Sequence, residues 1–223
     1  MNRSPLLLIL FFIFSQTVSH AQSVSKPFNL RTDHLENPTG IDNPNPRLMW
    51  MMDDHRPGAG QAAFKVIVGS DSLQVLNGEG DIWNTGKTDA ETRLITYKGK
   101  KLGPFTKYYW KVILWDKEKR ESASSVNTFE TGMMGINNWQ GSWIGDGRDI
   151  HFKPASYFRK EFPAKKEIQS ARAYIAVAGL YELYINGEKI GNHRLDPMYT
   201  RFDRRNLYVT HDVTSQLQNG ANA

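Results

Sequence analysis

Side chains suited to binding a polyol gather in one stretch of this chain, residues 191–203, which reads Gly-Asn-His-Arg-Leu-Asp-Pro-Met-Tyr-Thr-Arg-Phe-Asp. Asn192, Asp196, Arg201 and Asp203 donate or accept hydrogen bonds at fixed angles, as paired hydroxyls require, and Tyr199 offers an aromatic face for the C–H side of a pyranose. The same stretch could serve only to pack against a neighbouring domain. Its carboxylate and carbonyl oxygens could also hold calcium, although their spacing does not demand it. Catalytic signals are absent by comparison. Asp53-Asp54-His55 falls between an apolar run and Pro57-Gly58 and reads as a turn, and Asp33-His34 and Asp149-Ile150-His151 are weaker still. None has the ligand spacing of a metal site. No Gly-x-Ser-x-Gly elbow, Walker loop or dinucleotide fingerprint occurs, so no catalytic residue is assigned.

The elements around this stretch carry the period of a strand. Tyr181, Leu183 and Ile185 alternate with Glu182 and Tyr184, and Asn186-Gly187 is the dipeptide of a two-residue type I′ turn, so a hairpin returning through Glu188 to Gly191 is predicted. Further strands are predicted at Tyr157 to Phe162, Ala171 to Ala178, Asn206 to Thr210 and the carboxyl end. Before them, Pro46 to Trp50, Phe64 to Val68, Leu94 to Tyr97, Tyr108 to Trp115 and Phe129 to Gly132 are short apolar or alternating runs separated by Pro, Gly and Asn clusters, and no segment there shows a helical period. A short glycine-containing connector, 133–138, separates the two sets. Trp139 and Trp143 just beyond it are expected to anchor an interdomain core.

Residues 1–21 read as a secretory signal peptide: Arg3, an apolar run from Leu6 to Phe14, then Ser19-His20-Ala21 before Gln22. The run is too short to span a bilayer, and the 223 − 21 = 202 residues that remain suffice for two domains of about 100 residues each. With no cysteine in the chain, a lipid-anchored thiol and disulfides are both excluded, so export leaves the protein secreted or periplasmic. Of 28 basic residues one lies in the leader, leaving 27 against 23 acidic, a formal +4 that is too mild to argue for nucleic acid.

Larger motifs sharpen the picture. Gly-Leu-Tyr-Glu-Leu-Tyr-Ile-Asn-Gly-Glu-Lys-Ile-Gly from Gly179, Leu-Asp-Pro-x-x-Thr from Leu195 and Tyr-x-x-x-Asp-Val-Thr from Tyr208 resemble the amino-terminal β-sandwich domain of bacterial α-L-rhamnosidases, secreted inverting enzymes of glycoside hydrolase family 78. Trp139-Gln140-Gly141-Ser142-Trp143-Ile144-Gly145 and Tyr157-Phe158-Arg159-Lys160-Glu161-Phe162 are similar to the opening of the same domain. Upstream, Leu102 to Val112 resembles the corner and following strand of a fibronectin type III domain, in which one tyrosine buries its ring and returns its hydroxyl to the backbone.

The resemblance implies an all-β chain: signal peptide 1–21, a fibronectin III/Ig-like sandwich over 22–132, a linker at 133–138, and over 139–223 a jelly-roll (galactose-binding-like) sandwich that is incomplete at its carboxyl end. The barrel that carries the acid and base of such enzymes is then absent, and the chain alone is expected to be inactive, because an inverting mechanism needs both carboxyl groups, about 6.5–9.5 Å apart. Its role would be to support hydrolysis of terminal α-L-rhamnose from plant glycans, with the remaining domains of a rhamnosidase and a rhamnose-containing glycan as partners. Related sandwiches in some rhamnosidases resemble rhamnose-binding modules that use a calcium ion. The alternative is a free-standing carbohydrate-binding or cell-surface adhesion module.

Overall fold

The computed structural model describes residues 25–149, 151 and 154–223; residues 1–21, read above as a signal peptide, lie outside them. In chain order the amino-terminal part contains β1 (Lys26–Thr32), β2 (Arg47–Asp53), β3 (Gln61–Gly69), α1 (Ser72–Leu76), β4 (Trp83–Asn84), β5 (Thr88–Asp89), β6 (Leu94–Thr96), β7 (Lys107–Asp116), β8 (Glu121–Ala123) and β9 (Asn127–Glu130). A 3₁₀ turn at Ile136–Asn138 follows. The carboxyl-terminal part contains β10 (Phe162–Ala164), β11 (Arg172–Ala176), β12 (Tyr184–Ile185), β13 (Glu188–Lys189), β14 (Tyr208–Asp212) and β15 (Gly220–Asn222). Among the described residues the fold is all-β apart from these two short helical pieces. Among the described residues no helix is long and apolar enough to cross a membrane.

Two sheets form the amino-terminal sandwich. One has the order β1-β2-β6; the other runs β4-β3-β7-β8, with β5 also on β3 and β9 also on β7. Period-two alternation turns Leu48 and Trp50 of β2 toward Phe64, Val66 and Val68 of β3 and Tyr108, Trp110 and Val112 of β7, which make one buried core. Burial of so much apolar surface is the main stabilising contribution, at roughly 25 cal/mol per Å². Trp50 Nε1 donates to Gln61 Oε1 at 2.9 Å, and Gln61 Nε2 donates to the carbonyls of Ala90 and Thr92 at 2.9 and 2.7 Å, whereas the buried Trp110 Nε1 and Thr32 Oγ1 have no partner among the described residues.

The sequence shows no helical period here, yet α1 forms. Asp71 caps it by accepting the Gln74 N–H at 2.8 Å, and its Val75 covers the face of β3 opposite the core, where Ile67 would otherwise meet water. Lys111 on β7 closes the other end, its Nζ donating to the Leu76 carbonyl at 2.9 Å, which suits a cation at a helix C-terminus.

The tyrosine corner is Tyr108. Its ring is 4% exposed and stacked on Phe129, 5.2 Å between centroids, and its hydroxyl accepts the Gly103 N–H at 2.8 Å. Tyr109 next to it faces outward.

The carboxyl-terminal part is built from three antiparallel pairs, β10-β15, β11-β14 and β12-β13. Asn186 and Gly187 adopt φ of 53° and 87°, the two positive values a type I′ turn requires, so the β12-β13 hairpin forms where Asn-Gly predicts it. The Asn186 side chain also ties the turn to the carboxyl end, with Nδ2 donating to Gln216 O at 2.8 Å and Oδ1 accepting from the Ala223 N–H at 3.0 Å. Its buried cluster is small: Ile185, Ile190 and Val213, with Ala171, Ala173, Leu183 and Leu217 against them. The strand predicted at Tyr157 to Phe162 is corrected by the structure. Only Phe162 onward pairs; Tyr157 is 99% exposed, because residues 157–161 meet no partner strand among the described residues.

Replacing Tyr108 by Phe keeps the ring packing and removes the acceptor of a partly buried N–H, so a loss of about 1–3 kcal/mol in stability is expected. Tyr109→Phe should change it by less than about 0.5 kcal/mol. Urea unfolding of both variants checks this, and equal losses would contradict the assignment of the corner.

Candidate functional site

The β11-β14 ribbon positions everything around the candidate stretch. Its register pairs Arg172 with Asp212, Tyr174 with Thr210 and Ala176 with Tyr208, so these six share one face, while Ala173, Ile175, Val209 and His211 share the other. The first face docks on the amino-terminal sandwich. Arg172 Nε and Nη2 each donate to Glu130 at the end of β9 at 2.7 Å, a two-point pair, and Arg172 Nη1 lies 3.0 Å from Asp212. Tyr208 donates its hydroxyl to Asp42 at 2.8 Å and accepts the Met133 N–H at 3.1 Å; burial and Asp42 together push its titration up. Tyr174 meets Phe105 edge-on with centroids 4.8 Å apart.

Two glycines make this approach possible. A Cβ on Gly132 would collide with the Tyr208 hydroxyl, and one on Gly40, which also has a φ of 76°, would collide with Thr210 Oγ1. Trp139 sits half-buried against Tyr208, centroids 5.9 Å apart, as an anchor should. Trp143 does not. At 66% exposed it is no part of an interdomain core, because the chain after Trp139 runs extended over the surface and packs no second layer on it.

On the other face His211 Nε2 lies 2.6 Å from the Tyr181 hydroxyl. Burial lowers the His211 pKa, with Asp196 opposing and His193 adding to the shift, and burial pushes the Tyr181 hydroxyl up to about 12. The polyol-binding stretch begins beside this pair, and the Tyr181 N–H donates to the Asp196 carbonyl at 3.1 Å. Of the candidate residues, Asn192 is exposed; Asp196 turns its carboxylate to His193 Nδ1 at 3.0 Å; Arg201 and Asp203 form a bidentate exposed pair at 2.9 and 2.8 Å; and Tyr199, 84% exposed, stands edge-on to Phe202 at 5.3 Å. The structure therefore brings Arg201 to Asp203 and Asp196 to His193. It does not gather the five around one concavity.

Within the stretch Asp196 faces His193 and Asp203 faces Arg201, and among the described residues no three His, Asp or Glu side chains converge as a metal site.

The acidic motifs elsewhere serve turns. Asp54, almost wholly buried, is held by Arg56 and Ser25, and Arg56 keeps its carboxyl well below the usual carboxylate range; Arg56 also reaches Asp116 at 3.1 Å and Glu118 at 2.8 Å. Asp33 accepts the Arg47 N–H at 2.8 Å and Asn43 Nδ2 at 3.0 Å. Asp149 accepts the His151 N–H at 2.8 Å. Sequence reasoning did not single out Arg172, Glu130 or Asp42, since an isolated charge on a strand carries no local signal of a partner 42 residues away.

Fold and junction together define an immunoglobulin-like sandwich with a second β layer locked onto its closing strand. Residues 27–135 match the family described as "Rha78A-like, N-terminal immunoglobulin domain", and residues 166–223 match "Alpha-L-rhamnosidase N-terminal domain". An α-L-rhamnosidase from Formosa agariphila is 32% identical over 98% of this chain and 26% of its own length, and one from Alteromonas sp. is 29% identical over 96% and 25%. The solved α-L-rhamnosidase from Dictyoglumus thermophilum is 39% identical with a TM-score of 0.80, over 88% of this chain and 24% of that one. The chain belongs to the α-L-rhamnosidase family as its amino-terminal region, and it spans about a quarter of the length of the relatives it matches.

The His211 shift gives a pH dependence with a definite sign. Its folded pKa lies below the ordinary 6.5, so as pH falls below about 6.5 the unfolded chain takes up a proton that the folded chain resists, and stability declines until the folded pKa is passed. Urea midpoints at pH 7.5 and 5.5 should fall more for the native chain than for His211→Gln. Equal falls would contradict it.

Proposed function

We propose that this chain is the exported, non-catalytic amino-terminal portion of an α-L-rhamnosidase-like glycoside hydrolase, which supports the release of terminal α-L-rhamnose from plant glycans. The observation that carries the reading is the lopsided coverage: a relative matches 98% of this chain while the chain reaches only 26% of that relative. The reacting acid and base then belong to the larger part of such a protein, and the two β layers present here serve it as a scaffold and as a surface for substrate. The leader-like residues 1–21 direct export. Within this reading, Asn192, Asp196, Tyr199, Arg201 and Asp203 contact the glycan at their exposed loop, and the remaining domains of the enzyme are the protein partner.

A free-standing carbohydrate-binding or adhesion module is the second reading, favoured by the open aromatic face of Tyr199. Both readings make the same statement about chemistry. The purified chain should release no rhamnose from an aryl α-L-rhamnoside, since inversion needs a paired acid and base. Turnover that persists through purification and is abolished by Asp196→Asn would overturn the non-catalytic assignment.

A further inference from the structure

We propose that the cleft where the connector crosses the β11-β14 ribbon is a binding site for a neutral sugar ring, built by Trp139, Trp143 and Tyr208 and separate from the 192–203 loop. The cleft has a volume of about 270 Å³, and no lining side chain is charged. That size is below the range of about 300–1,000 Å³ typical for drug-sized ligands and suits a single sugar unit. Its lack of charge disfavours acidic or phosphorylated ligands, which would lose hydration without a compensating partner.

The walls fit one face of a pyranose. Trp139 and Tyr208 meet at 54° and form one wall, and Trp143 stands 66% exposed at the rim, an indole left in water beside a concave apolar surface. Covering it with the C–H face of a sugar removes apolar area from water on both partners. The polar groups are those that ring hydroxyls need. The Nε1–H groups of Trp139 and Trp143 and the Ser142 hydroxyl have no hydrogen-bond partner among the described residues. Asn206 also lines the cleft; its Nδ2 donates to the Phe202 carbonyl at 3.0 Å, while its buried Oδ1 has no donor. A buried acceptor in that state is costly, and a ligand hydroxyl is one way to satisfy it. The Tyr208 hydroxyl is not available, being committed to Asp42 and Met133, so this ring contributes its face alone.

None of Asn192, Asp196, Tyr199, Arg201 and Asp203 lines this cleft, so binding here is separable from binding at their loop. The inference rests on the saccharide context proposed above. A monosaccharide leaves much of its surface in water, so a dissociation constant of about 1 mM is expected.

The test is a titration of the ¹⁵N-labelled chain with L-rhamnose, followed through the indole N–H signals of its six tryptophans. Two signals, assigned by their loss in Trp139→Phe and Trp143→Phe, should shift saturably. Trp143→Ala should weaken binding about tenfold or more and Leu73→Ala, at an exposed position of α1, should leave it unchanged, with the buried Trp50 and Trp110 signals reporting that each variant is folded. No shift of the two signals at sugar concentrations on the order of 50 mM, far above the expected constant, would overturn the proposal. So would an affinity unchanged in Trp143→Ala, read from the Trp139 signal, or shifts that vanish in Leu73→Ala. Such a failure leaves the rhamnosidase reading standing, because that reading is decided by the separate assay of rhamnoside turnover.

Discussion

The two-point ion pair between Arg172 and Glu130 is the contact on which the arrangement of this chain depends. Glu130 ends the closing strand of the amino-terminal sandwich and Arg172 opens the ribbon, so the pair joins the last element of one part to the first buried element of the other. Both side chains are largely shielded from water, at 10% and 16% exposure. Loss of Glu130 leaves Arg172 with Asp212 as its remaining carboxylate and loss of Arg172 leaves Glu130 with Lys107 at 3.7 Å, so either costs about 1.5–3 kcal/mol, the range for hydrogen bonds to charged groups, whereas an apolar pair of similar volume would cost far less. The contact therefore fixes geometry more than it adds stability. Tyr208 repeats the logic at the other end of the ribbon, and Gly40 and Gly132 leave room for it.

The need for such a lock follows from the unequal cores. The amino-terminal sandwich buries one continuous core between its two sheets, with Trp50, Phe64, Tyr97, Tyr108, Trp110 and Phe129 in it. Among the described residues the carboxyl-terminal part has a buried cluster of only Ile185, Ile190 and Val213 and only two-stranded sheets, which by themselves are marginal in water. Its ribbon is covered on one face by the sandwich and on the other by the small cluster around Ile185, so the docking face supplies a large share of its burial. The candidate loop, the His211–Tyr181 pair and the aromatic cleft all inherit their positions from this ribbon.

Much of the architecture was legible in the sequence where one residue type has one physical use. Alternation in Tyr108 to Trp115 gave β7, Asn186-Gly187 gave its turn because few other pairs accept two positive φ values, and Leu102 to Val112 announced a buried tyrosine with a returned hydroxyl. Features that depend on distant partners were not legible. The helix α1 is five residues long, too short for a period, and exists to cover Ile67; the expected strand at Tyr157 needs a neighbour; Trp143 looks like core by composition and lies in water. The candidate site shows the same division. Its residue types were readable as polyol-binding, but their pairing into Arg201–Asp203 and Asp196–His193 is set by loop geometry that no local pattern encodes.

Amide hydrogen exchange on the native chain and on Glu130→Ala tests the central claim, that the carboxyl-terminal part is held in its fold by docking through Arg172. With about 2 kcal/mol removed from the junction, exchange at β11 and β14 should accelerate by about thirtyfold while β3 and β7 keep their protection. Unchanged protection at β11 and β14, or an equal loss in β3 and β7, would contradict it.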